Sequence, residues 1–179
     1  MTVAAAFMAW LGAATIVLAD GRRALALGLG LIAASFAALA LVGGDILAAA
    51  ALFAGGAVAA VLRLRSGSDG WGWMPPGSTP RLILAIVAGF GALWIAASVT
   101  SGAGAPLRFA TLAVLGLMGA RLLGGRDPAV VLTAVAGMAL AVAMATGLAA
   151  TPAGPAPYIV AALIAAGVSV LRMTEPNAA

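Results

Sequence analysis

Seven apolar runs, Val3–Ala19, Ala24–Val42, Ile46–Leu62, Leu82–Thr100, Pro106–Leu123, Ala129–Ala150 and Ala156–Leu171, fill most of this 179-residue chain. Each comes close to the length of about 20 mainly apolar residues that a helix needs to cross a bilayer. Only 8% of the residues are charged, against 64% hydrophobic and a mean hydropathy of +1.18. Soluble domains carry about 25% charged residues, and a water-soluble fold of this length has nowhere to hide so much apolar surface. The solvent is therefore lipid. The expected fold is all-α, a polytopic membrane bundle of about seven transmembrane helices. The first residues lack the basic start of a signal peptide, and no small-residue cleavage site follows, so Val3–Ala19 is expected to be a retained helix.

Absent residue types remove whole classes of chemistry. Cysteine is missing, which excludes disulfides, thiolate catalysis and iron–sulfur ligation. Histidine is missing too, which excludes bis-His haem, the usual zinc sites and Ser–His catalysis. Met8, Met118, Met138 and Met144 lie inside apolar runs, where packing is their expected role. No cofactor is expected. The net charge of +4 comes from arginines scattered between apolar runs, with no basic block for a phosphate backbone, so nucleic acid is not an expected partner.

All nine basic residues are arginines, and their positions fix an orientation. With seven spans, Arg22, Arg23, Arg63, Arg65, Arg81, Arg121, Arg126 and Arg172 fall on one side and Arg108 alone on the other. Arginine-rich loops stay in the cytoplasm. The amino terminus is thus predicted outside and the carboxyl terminus inside a bacterial-type cytoplasmic membrane. Arg22, Arg23, Arg121, Arg126 and Arg172 are read as topology-setting. The longest polar connector, Arg63 to Arg81, carries Trp71 and Trp73 among glycines and prolines that forbid a long helix. Trp71, Trp73, Arg63, Arg65 and Arg81 are read as an interfacial anchor at headgroup level, or as a docking loop for a soluble partner or quinone headgroup. Arg108 either snorkels to the headgroups or meets a partner's carboxylate.

The five acids, Asp20, Asp45, Asp69, Asp127 and Glu175, all lie at run ends or in loops. Asp20 and Asp127 adjoin arginines and are expected to be local ion pairs or helix-end charges. Mid-span hydroxyls such as Ser35 and Thr133 can bond their own helix or a neighbour. Small residues in GLGLIAAS (Gly28–Ser35), AGGAVAA (Ala54–Ala60) and VLGLMGA (Val114–Ala120) offer close backbone approach, the way helices associate in lipid. Gly21-Arg22 matches Gly125-Arg126, and AAVLRL (Ala59–Leu64) matches VSVLRM (Val168–Met173). These matches suggest a parallel three-helix repeat. The expected units are 1–65, a loop and connecting helix at 66–104, and a second three-helix unit at 105–179.

A three-helix unit with its amino terminus outside, the pair Arg22–Arg23 in its first cytoplasmic turn and basic residues (Arg63, Arg65) ending its third helix resembles the K subunit of bacterial complex I. Two such units joined by an extra helix resemble the E subunit of the related membrane-bound hydrogenases. The K subunit carries a glutamate in each of its second and third helices. The matching regions here, around Ala33 and Leu52, hold no acid, so proton translocation does not carry over. The resemblance then implies a degenerate copy that seals or scaffolds an ion-translocating respiratory or hydrogenase-type assembly. The expected function is a non-catalytic integral subunit, its partners other membrane subunits and the lipid bilayer. The alternative is a small transporter or channel for a neutral or apolar solute.

Overall fold

The structure is a computed structural model that describes residues 1–66, 69–73, 79–99 (the backbone alone for 96–99), 104–125, 127–149 and 154–171. Among these residues seven helices run in chain order: α1 Thr2–Leu18, α2 Arg22–Val42, α3 Ile46–Leu64, α4 Thr79–Val99, α5 Ala105–Gly124, α6 Pro128–Thr146 and α7 Ala156–Val170. Among the described residues there is no strand, only an isolated antiparallel bridge between Ala19 and Trp73. Helices suit these runs because a segment in lipid must satisfy its backbone hydrogen bonds internally.

The breaks have local causes. Asp45 caps α3, its Oδ1 accepting from the Ala48 N–H at 2.8 Å, and Asp127 caps α6 by accepting from the Ala129 N–H at 2.8 Å. Such caps satisfy amide groups that a helix start leaves without partners. Pro106, Pro128 and Pro157 occupy first-turn positions of α5, α6 and α7, where proline costs no hydrogen bond. Gly147 ends α6 at Thr146, short of the expected Ala150.

Four helices, α2, α3, α5 and α6, are long and apolar enough to cross a membrane. The other three present shorter apolar stretches. With 15 residues, α7 is about 23 Å long at 1.5 Å per residue, against a hydrocarbon core of about 30 Å.

At the centre, α2 packs on α1, α3 and α6. Around it α1 lies on α5, α3 on α7, and α6 on both α5 and α7, while α4 touches only α5 and α1. The interior is filled by Ile16, Leu25, Leu29, Ile32, Phe36, Leu52, Leu117, Met118 and Leu140, all fully buried. Met144 is buried and Met138 packs on this core, but Met8 is 40% exposed. Among buried hydroxyls, Thr133 donates to the Ala129 carbonyl at 2.6 Å and Ser169 to Ala165 at 2.8 Å, each within its own helix.

The three small-residue motifs do not behave alike. A Cβ on Gly28 would lie 2.6 Å from the Gly12 carbonyl oxygen, so α1 and α2 cross there backbone to backbone. Gly56 meets Ala33 of α2, and Gly55 meets Ala162 of α7. Gly116 of the third motif meets nothing within 4 Å, and Gly119 approaches only the tip of Met138. The first two motifs are crossings; the third is not.

Candidate functional site: a half-buried ion cluster at one end of the bundle

Charges gather where the carboxyl ends of α1, α3 and α5 meet the amino ends of α2 and α4. Arg22 and Arg23 open α2, Arg63 lies in the last turn of α3, and Arg65 follows it as the cap. Arg81 is in the first turn of α4, and Arg121 in the last turn of α5. A cation suits a last turn, where the helix dipole is negative, but not a first turn. That asymmetry accounts for the partners of the first-turn arginines. Arg22 pairs with Asp69 at 2.7 Å, and Arg81 reaches both carboxylate oxygens of Asp20 at 3.3 Å. Arg126 and Arg172 lie outside the described residues.

Asp20 is the hub. Besides Arg81 it pairs with Arg121, whose Nη2 also donates to the Ala19 carbonyl at 3.2 Å. One carboxylate thereby ties the α1–α2 corner to the start of α4 and the end of α5. A local ion pair or a helix-end charge was expected of Asp20; the structure gives it Arg81 and Arg121, 61 and 101 residues away. The physical reason is geometry. Arg22 and Arg23 belong to the helix that begins just past Asp20, whereas the ends of α4 and α5 converge on it. Arg121 is 4% exposed, a burial that a guanidinium tolerates only when paired.

Asp127 acts as the helix-end charge expected of it by capping α6, and its carboxylate also bears electrostatically on Arg121 and Arg63. Asp20, Arg81, Arg121, Asp127 and the Gly124–Gly125 pair line a cleft of about 460 Å³. Arg63 was expected in an interfacial anchor or a docking loop, yet it is 2% exposed, with Nε and Nη2 lacking hydrogen-bond partners among the described residues. It is held inside because α3 carries it into the bundle on the same side as the buried Ala59 and Gly56.

The tryptophan loop folds back onto the same corner. The Asp20 N–H donates to the Gly72 carbonyl at 3.1 Å and the Arg23 N–H to Gly70 at 3.2 Å. Gly21 permits this contact, since a Cβ there would lie 2.4 Å from the Trp71 backbone. Gly72 turns the loop with φ +53°, a conformation that favours glycine. Trp71 and Trp73 stack with ring centroids 6.3 Å apart and remain about half exposed. The loop is therefore built on the chain's own corner, with its indoles facing out.

At the opposite end stands Arg108, in the first turn of α5, its guanidinium beside Gly104. It makes no ion pair among the described residues. No group of three or more potential metal-ligating side chains exists among the described residues.

The arrangement can lock helices together and present a positive face. Its carboxylates are engaged with arginines or a helix start. The two positions where the resemblance would set glutamates, Ala33 and Leu52, lie buried in the apolar core, Ala33 directly against Gly56. No family model, no curated protein and no solved structure matches the chain.

Proposed function

We propose that this chain is a non-catalytic integral membrane subunit that packs within a multi-subunit membrane complex. The observation that carries the proposal is the filled core. Between the arginine end and the Arg108 end, the interior is Leu29, Ile32, Phe36, Leu52, Leu117, Met118 and Leu140, with no ionisable side chain among them. Transport and proton conduction ordinarily leave ionisable groups inside the membrane, paired or facing a cavity. The short α7 supports the same reading, because a helix shorter than the bilayer is accommodated partly by association with neighbours.

In this reading the chain crosses seven times, amino terminus outside and carboxyl terminus in the cytoplasm of a bacterial-type cell. Support comes from six described arginines at one end against Arg108 at the other. The reading takes the two triplets as copies, supported by the packing of α1 on α5, α2 on α6 and α3 on α7, contacts compatible with a parallel repeat about an axis along the membrane normal. The assembly suggested by the sequence resemblance is an ion-translocating complex of respiratory or hydrogenase type, in which this subunit seals and braces rather than conducts.

Flux measurements on proteoliposomes holding the purified chain alone separate this function from the transporter alternative. No protein-dependent movement of protons or of a panel of neutral solutes is expected. Saturable uptake of any of them would overturn the proposal.

A further inference from the structure

We propose that the groove between α1, α4 and α5 holds an acyl chain of an anionic phospholipid whose phosphate pairs with Arg108. The groove, about 390 Å³, is walled by Phe7 and Trp10 of α1, Ile86 and Phe90 of α4, and Pro106 and Phe109 of α5. Trp10 Nε1 already donates to the Ala85 carbonyl at 3.3 Å, so this wall asks no hydrogen bond of an occupant. The contents must be hydrocarbon. A single file of methylenes fits between these rings and aliphatic side chains, which offer it no competing polar group.

The head group follows from charge. Arg108 sits in the same turn as Ala105, Pro106 and Phe109, which line the groove, and its guanidinium folds toward Gly104 at the mouth. It is partly exposed and has no ion pair among the described residues. A guanidinium can grip a phosphate through two parallel hydrogen bonds, and the positive end of the α5 dipole lies beside it. Hydrocarbon below, and at the rim a cation with no ion pair among the described residues, are the two halves of one anionic lipid. This inference needs only that the chain lies in a membrane and is independent of the subunit proposal.

The test takes the full chain in nanodiscs of equal phosphatidylglycerol and phosphatidylcholine, extracts it gently and counts retained lipids by native mass spectrometry. The wild type is expected to retain one lipid, with phosphatidylglycerol favoured about tenfold. Arg108→Gln should keep a lipid but lose the preference, while Arg65→Gln reports separately on the arginine cluster at the other end and should leave the lipid in this groove in place. Leu93→Trp combined with Ala105→Leu fills the groove from partly exposed positions and should abolish retention, with helical circular dichroism preserved. Retention by the filled variant, or a preference that follows Arg65 instead of Arg108, would overturn the proposal. So would a crosslink from position 93 to a helix of another subunit in the native membrane.

Discussion

The two ends of the bundle solve the same problem in opposite ways. At one, Asp20 pairs with both Arg81 and Arg121 across three helix ends, Asp127 stands close by, and a loop is hydrogen-bonded over the corner. At the other, a lone arginine overlooks an apolar groove. A charge drawn out of water needs a partner. The first end supplies one for Arg121 from within the chain, while the buried Arg63 feels Asp127 only at longer range. The second end offers Arg108 no ion pair among the described residues.

The largest effect should come from breaking the locked end. Asp20→Asn leaves Arg121 buried without its counter-charge and should lower unfolding free energy in mild detergent by about 3 kcal/mol. Asp20→Leu with Arg121→Met should lose clearly less, because replacing both partners removes the uncompensated charge. An equal loss in the double variant would show that the pair is not what binds the corner.

Crossings come next. Gly28→Ala places a Cβ 2.6 Å from the Gly12 oxygen and should cost about 1–3 kcal/mol as overpacking. Gly116→Ala meets open space and should be neutral or stabilising by up to about 1 kcal/mol. Thermal denaturation of both variants, side by side, checks the contrast. Gly21→Ala should cost about 1–2 kcal/mol by displacing the loop and its two backbone hydrogen bonds, seen as a shift in tryptophan emission and faster proteolysis between residues 63 and 81. The smallest effect belongs to the exposed pair. Asp69→Asn should change stability by no more than about 1 kcal/mol, and less at high salt.

Much of the scaffold was legible because lipid imposes a length and a composition on whatever crosses it. The apolar runs became helices whose ends moved by a few residues, as at α3, where Ile46–Leu62 became Ile46–Leu64. The gathering of arginines was also legible, since alternating helices must return to the same end. What could not be read was which face of each helix turns inward. In water an apolar stripe marks the buried side, but in lipid both sides are apolar. Gly28 and Gly116 therefore looked equivalent, and only one lies at a crossing. The same blindness hid the burial of Arg63. For Asp20 a faint signal existed: with five acids for nine arginines, an acid at an arginine-rich end has several long-range partners to choose from. Sequence spacing alone favoured its neighbours.

The central claim is that this chain works as one part of a larger membrane assembly. The most direct test is a mild-detergent pull-down from native membranes through a tag on the carboxyl terminus, read by mass spectrometry. The account predicts that several other integral membrane proteins are recovered at constant ratio, and that an antiporter-like subunit with iron–sulfur or hydrogenase proteins is among them. Recovery of this chain alone, or only with copies of itself, would contradict it.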